Sequence, residues 1–147
     1  MQLLADFYGR IAIPTEVHQE ITVAGRGLPG AEEVRKADWI QALVVPAGSD
    51  PSVVQAVAGL GGGERSAILL AKALSADLLL LDERKARRIA QSVGLSVVGC
   101  IGILEAGVRA GRISDLRPVY IELLKQGVRF ELELLRDSTT RLGLPGL

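Results

Sequence analysis

The stretch from residue 64 to residue 98, ERSAILLAKALSADLLLLDERKARRIAQSVGLSVV, decides the fold. Apolar residues recur at three- and four-residue spacing from Glu64 to Leu74, which predicts a helix with one apolar face. The continuous run Leu78–Leu81 is short, and its length and flanks favour a strand buried on both faces. A charged helix at Glu83–Val93 and a short strand at Val97–Val98 follow. Helix and strand therefore alternate through this segment.

The remaining patterns extend this alternation toward both ends of the chain. A β-branched strand at Ile11–Ile13 is stopped by Pro14, and Thr15 can cap the helix that follows. The other predicted elements are a helix at Ala31–Lys36, a strand at Trp39–Val45, a helix around Val53–Val57, and helices at Ile101–Ala110, Asp115–Lys125 (capped by Ser114 or Asp115) and Phe130–Arg141. Since parallel strands need crossovers that cover the sheet, we predict the α/β class, as a three-layer α/β/α domain with a parallel sheet.

The composition bounds the kind of chemistry that is available. The chain has 147 residues, 48% hydrophobic and 23% charged, which suits one domain, 1–147, with a real core. Seventeen basic residues balance seventeen acidic ones, so no net charge attracts nucleic acid. The single Cys100 excludes an internal disulfide, and Cys100 with the single His18 excludes a closed Cys/His zinc site in one chain. Any catalysis is therefore expected from carboxylates.

The sequence also bears on the compartment. Its apolar runs are far shorter than the ~20 residues that span a bilayer. The start, MQLLADFYGR, lacks the basic and then apolar pattern of an export signal. A single cysteine suits a reducing environment. We therefore expect a cytoplasmic protein with no membrane partner.

Three acidic residues are the candidates for a site. Asp82 follows the Leu78–Leu81 strand, and Glu64 begins a helix after three glycines, so both are expected at the carboxyl edge of the sheet, where ligands bind in open α/β folds. Glu20, on the first helix, is expected near that edge. Carboxylates from separate elements suit Mg²⁺ or Mn²⁺. The alternatives are ordinary: Asp82 as a helix N-cap, Glu64 as a favourable first-turn charge, and Glu20 as a solvated residue.

A basic run follows directly after Asp82. Four of the five residues from position 84 to position 88 are Arg or Lys, and they could hold a polyanion beside the acidic edge. Arg84, Lys85 and Arg88 are the candidates for contacts with backbone phosphates, which give affinity without sequence choice. The alternative is a solvent-facing helix in which Glu83 pairs with Arg87.

Residues 61–104, GGGERSAILLAKALSADLLLLDERKARRIAQSVGLSVVGCIGIL, resemble the second half of a PIN domain, in an uncharacterised branch close to the VapC-type toxin ribonucleases. The resemblance rests on the glycine-glutamate helix start, the Ala-Asp step into an aliphatic strand, and Asp-Glu-Arg-Lys. Upstream, IAIPTEVHQEI resembles the strand, proline and acidic helix of the family. The resemblance places the family's acidic residues on Glu20, Glu64 and Asp82. It implies RNA cleavage that depends on a divalent metal.

The sequence departs from this family in one respect. PIN domains open with a central strand that ends in aspartate, and this sequence starts after that strand, so we expect an N-terminally truncated domain without the first carboxylate. Asp6 does not replace it, because it precedes Phe7 and Tyr8 and does not end an aliphatic strand. The loss would expose two strand edges and leave an apolar gap. Either the true start lies upstream, or the protein compensates by dimerisation or a repacked sheet.

Two functions of different classes follow. The first is a ribonuclease, dependent on Mg²⁺ or Mn²⁺ and preferring single-stranded RNA, with Glu20, Glu64 and Asp82 as metal ligands. The second is a non-catalytic module that acts as a homodimer or as the partner of a small antitoxin-like protein. A phosphatase of the haloacid class is discounted. Such enzymes have the motif D-x-D-x-[TV] after a strand, whereas here Asp82 is followed by Glu83 and Arg84.

Overall fold

The computed structural model describes residues 2–146, whose contacts fall into two compact units, one ending at Gly99 and the other beginning at Cys100. The elements of the first unit are α1 (Gln2–Tyr8), β1 (Ile11–Pro14), α2 (Thr15–Gln19) with a π-helical turn (Glu20–Ala24), α3 (Ala31–Lys36), β2 (Ile40–Leu43), α4 (Pro51–Val57), α5 (Gly62–Ala73), β3 (Leu79–Leu80), α6 (Arg84–Ser92) and β4 (Val97–Val98). Those of the second unit are α7 (Cys100–Arg109), α8 (Arg117–Lys125) and α9 (Leu132–Arg141). The alternation of helices and parallel strands confirms the α/β class.

The four strands of the first unit form two parallel pairs. β1 pairs with β2, with Ile11 opposite Ile40, and β3 pairs with β4, with Leu79 opposite Val97. Parallel pairing is the predicted arrangement, since a helix follows each strand. One sheet was predicted, whereas the described strands form two separate two-stranded sheets. Each of these strands is therefore paired along one edge.

The leucine run is buried on one face only, so the prediction of two buried faces is wrong. Leu81 belongs to the core and Leu79 packs against it, whereas Leu78 and Leu80 are 39% and 43% exposed. Successive side chains of a strand point to opposite faces. The helices α4, α5 and α6 supply the core on one face of β3, and the alternate leucines point away from that core.

The core of the first unit lies between α4, α5, α6 and the strands β3 and β4. The apolar face predicted for α5 is present, with Ile68 and Ala71 buried in it. α6 contributes Ala86 and Ala90, which lie four positions apart and are fully buried. Side chains this small let the backbone of α6 approach the core closely. The remaining buried members of the cluster are Val53, Val57, Leu81 and Leu95.

Two helices are not capped by the residues that the sequence suggested. Thr15 is the first residue of α2 and Pro14 occupies the capping position, with no side-chain capping hydrogen bond. Glu83, and not Asp82, caps α6, because its carboxylate accepts hydrogen bonds from the backbone N–H groups of Lys85 and Ala86. These bonds hold the pKa of Glu83 below its usual value. Because Glu83 follows Asp82 directly, the sequence alone did not distinguish the two.

The second unit is a three-helix cluster around Leu116, Tyr120 and Leu135, all fully buried. Its α8 begins where the carboxylate of Asp115 accepts from the backbone N–H of Arg117, close to the predicted cap. A buried polar network that includes Glu105, Tyr120 and Ser138 is part of the same unit. Within residues 2–146, no helix is long and apolar enough to cross a membrane.

Candidate functional site

The start of α5 places the carboxylate of Glu64. The helix begins after Gly61, and Glu64 lies in its first turn. A Cβ on Gly61 would lie 2.5 Å from Oε2 of Glu64, so the carboxylate folds back over the α-carbon of this glycine. Only a glycine leaves that space open without moving the side chain. Of the three glycines before Glu64, Gly61 is therefore the one whose missing side chain leaves room for the carboxylate.

Glu20 approaches the same end of α5. It is exposed and begins the π-helical turn that continues α2, which packs against α5. A Cβ on Gly63 would lie 3.9 Å from Oε2 of Glu20 and 3.6 Å from Cγ2 of Val17. Gly63 and Gly61 are both at the start of α5, so Glu20 and Glu64 come from different elements to one helix end.

Asp82 lies just beyond β3, at the carboxyl end of that strand, and is exposed. A Cβ on Gly99, a buried residue just after β4, would lie 2.9 Å from Oδ1 of Asp82 and 3.4 Å from Nη1 of Arg87. The carboxylate and the guanidinium therefore converge on the α-carbon of this glycine. Since Glu83 caps α6, the capping alternative for Asp82 is removed, and its carboxylate points toward the end of the neighbouring strand.

The basic run divides into two kinds of side chain. Arg84 and Arg88 are exposed, as expected for contacts with phosphates. Lys85 is exposed too, but its ammonium donates a hydrogen bond to the backbone carbonyl of Gly59, with an Nζ–O distance of 3.0 Å. Arg87 is partly buried beside Gly99. The run is therefore not a uniform solvent-facing surface.

The described residues do not complete a metal site. Carboxylate oxygens are the donors that Mg²⁺ and Mn²⁺ prefer. However, within residues 2–146 no three His, Cys, Asp or Glu side chains lie close enough together to hold a metal ion. Glu20 and Glu64 each lie against a glycine at the start of α5, and Asp82 lies beside Gly99 and Arg87. The ligand set Glu20, Glu64 and Asp82 stays a prediction.

One open cavity of about 220 Å³ lies elsewhere on the first unit. It is formed by the segment 46–50 and by Val53, Leu69, Lys72 and Ala73. None of the three candidate carboxylates lines it. Its lining is mainly apolar, and Asp50 in this segment uses its carboxylate to cap α4.

The sequence gives no sign that two lysines of this region have structural roles. Lys85 bonds to Gly59, 26 positions away, and Lys72 bonds to the carbonyl of Val93, 21 positions away, with an Nζ–O distance of 2.9 Å. A surface lysine carries no sequence signal for such a bond. Gly61, three positions before Glu64, was an available signal for that carboxylate, whereas nothing in the sequence indicates that Asp82 lies against Gly99.

The comparisons with known proteins bear on the family alone. A family model described as a PIN domain matches residues 1–143. No curated protein and no solved structure matches the chain. Closeness to the VapC-type toxins stays a prediction. Because the model spans nearly the whole sequence, both compact units included, the chain belongs to the PIN-domain family.

Proposed function

We propose that this protein is a ribonuclease that requires Mg²⁺ or Mn²⁺ and cleaves single-stranded RNA, with Glu20, Glu64 and Asp82 as its acidic residues. Membership of the PIN family carries the proposal, since PIN domains generally use divalent metals. The positions of the carboxylates support it: Asp82 is at a strand end and is not the cap of α6, and Glu20 and Glu64 share one end of α5. The cytoplasm is the proposed compartment.

The side chains have distinct proposed roles. Divalent ions, when bound by such carboxylates, orient water and stabilise the oxygens around the phosphorus. Arg84 and Arg88, which are exposed on α6 directly after Asp82, would bind backbone phosphates. Such contacts hold a nucleic-acid strand without reading its bases, so we propose no base preference for this surface, and RNA as the substrate class rests on the PIN family.

The test is cleavage of a labelled single-stranded RNA in the presence of Mn²⁺. We expect Glu64→Gln and Asp82→Asn each to lower the rate at least about 100-fold, because each removes a charged oxygen donor while keeping its shape. Asp77→Asn, which changes an exposed acidic residue ahead of β3, is the matched control and should keep the wild-type rate. Equal activity in all three variants would reject the assignment.

A second candidate is a non-catalytic PIN module that acts as a homodimer or binds a small antitoxin-like protein. The incomplete ligand set within residues 2–146 favours it, as do the strands β1 and β3, which pair on one edge each. Calorimetric titration with Mn²⁺ separates the two candidates. A ligand present at 100 times its dissociation constant stabilises the folded state by about 2.7 kcal/mol. Millimolar Mn²⁺ that neither binds nor raises the melting temperature would favour the module.

A further inference from the structure

Two lysines form long-range bonds to backbone carbonyls at opposite ends of α6. Lys85, at the start of α6, donates to the carbonyl of Gly59, just after α4 ends; Lys72, near the end of α5, donates to the carbonyl of Val93, just after α6 ends. The carbonyl of Val93, at the C-cap of α6, carries the partial negative charge of a helix end, which favours an ammonium, whereas Gly59 lies two residues beyond the last residue of α4. Both bonds join an ammonium to a backbone carbonyl, but only the Lys85 bond lies at the end of α6 that follows Asp82.

The segment that Lys85 contacts has few other anchors. Four of the residues 59–63 are glycines, which supply no side chain for packing. Leu60 is the member that packs against the core. The ammonium of Lys85 lies 3.6 Å from the position that a Cβ on Gly59 would take. The N–H of Leu60 also bonds to the carbonyl of Val57, and the carbonyl of Gly61 accepts from the N–H of Arg65, so the bond to Gly59 adds a long-range anchor to these local ones.

We propose that Lys85 is a positioning residue that holds the segment 59–63, and through it the carboxylate of Glu64, in place relative to Asp82, and that it does not bind an RNA phosphate. Lys85 follows Asp82 by three positions, and Gly59 precedes Glu64 by five. The bond therefore links the start of α6, just after Asp82, to the segment that leads into Glu64. Its bearing on catalysis rests on the proposed function. Its effect on segment 59–63 does not.

The first experiment is hydrogen exchange on the metal-free full-length protein. We expect Lys85→Met to raise the exchange rate of the Leu60 and Arg65 amides, which donate to the carbonyls of Val57 and Gly61, about fivefold to tenfold, because a charge-assisted hydrogen bond that restrains this segment is lost. Lys85→Arg, which keeps a cationic donor, should restore most of the protection. Lys72→Met, the matched control, should leave these amides unchanged. Wild-type exchange in Lys85→Met would overturn the proposal.

The second experiment separates positioning from phosphate binding. RNA affinity is measured as a function of salt, since each phosphate contact to a single strand adds about 0.7 to the slope. We expect Arg84→Met to lower the slope by about that amount and Lys85→Met to leave it unchanged. In cleavage assays Lys85→Met should lower kcat with KM unchanged, and Lys72→Met should change neither. A slope lowered in Lys85→Met would overturn the proposal. If no variant binds RNA, the proposed function fails, and the exchange result still decides the role of Lys85.

Discussion

Each of the three predicted acidic residues lies against a glycine. Glu64 folds over Gly61, Oε2 of Glu20 lies within 4 Å of the position of a Cβ on Gly63, and Asp82 converges with Arg87 on Gly99. A carboxylate beside a bare α-carbon can take a position that any other residue would fill. At the residue scale, a Cβ would displace the carboxylate at Gly61 and at Gly99, whereas at Gly63 it would make only an ordinary contact with Glu20.

This placement makes Gly61→Ala an informative change. The new methyl group would lie 2.5 Å from Oε2 of Glu64, so the carboxylate must move, but the backbone angles of Gly61 suit alanine. We expect stability to change by less than about 0.5 kcal/mol, as at most surface positions, and cleavage to fall roughly tenfold because the carboxylate is misplaced. Urea denaturation and the RNA cleavage assay measure the two effects.

Gly62→Ala is the matched control for that prediction. A Cβ on Gly62 meets no atom within 4 Å, so both stability and cleavage should keep wild-type values or improve slightly. If Gly61→Ala and Gly62→Ala behave alike in the cleavage assay, the carboxylate of Glu64 is not held in the orientation described.

At the element scale, β3 shows how a uniform sequence gives a non-uniform strand. Its leucines are chemically identical, but the pleat directs them alternately toward the core and away from it. Leu81 is 9% exposed and Leu80 is 43% exposed. The helices that pack on one face, and not the residue type, set the contribution of each leucine.

Alanine variants of Leu80, in β3, and of Leu81, which follows it directly and still bonds to the carbonyl of Val98, should therefore differ. We expect Leu81→Ala to lower the free energy of unfolding by about 2–4 kcal/mol, because it leaves a cavity among Val53, Ala86 and their neighbours. Leu80→Ala should cost less than about 1 kcal/mol, since much of that side chain already meets water. Chemical denaturation gives both values, and equal losses would contradict the one-sided burial of β3.

At the scale of the whole molecule, the ionisable groups with shifted pKa values bear on acid stability. Burial alone would raise the pKa of Glu105, but hydrogen bonds from Arg141 and Ser138 and the charge of Arg109 hold it below its ordinary value of 4.5. Glu105 is buried, with an oxygen 2.7 Å from Nη2 of Arg141. Tyr120 also belongs to this network, since its hydroxyl and that of Ser138 are 2.7 Å apart. The other carboxylates whose pKa is lowered are Glu32, Asp50, Glu83 and Asp115.

The direction of these shifts predicts a loss of stability in acid. Because the pKa of Glu105 is lower in the folded state, its stabilisation is complete above the ordinary value and is lost as the pH falls through the folded-state value. We expect Glu105→Gln to cost about 1–2 kcal/mol at pH 7, since its arginine partners are more than half exposed, and to weaken the decline below about pH 4.5. Urea denaturation from pH 3 to pH 7 checks this. An unchanged acid decline in the variant would exclude Glu105 as its source.

The local elements of this protein could be predicted closely. The helix Ala31–Lys36 and the strand Val97–Val98 have the predicted bounds, and α7 begins one residue before its predicted start. These elements are marked by neighbouring residues: turn glycines, prolines, β-branched pairs and helical spacing of apolar side chains. The candidate site stays a prediction, although Glu20 and Glu64 both lie at the start of α5.

The sequence by itself determined the order of helices and strands from Ile11 onward, their parallel pairing and the PIN family, because short-range spacing carries that information, but it did not predict α1. Tertiary structure alone decided that Glu83 and not Asp82 caps α6, that Leu80 meets water, that the described strands form two pairs, and that Lys85 bonds to Gly59. These outcomes depend on which groups compete for the same partner or the same space, and distant segments become competitors only when the chain has folded.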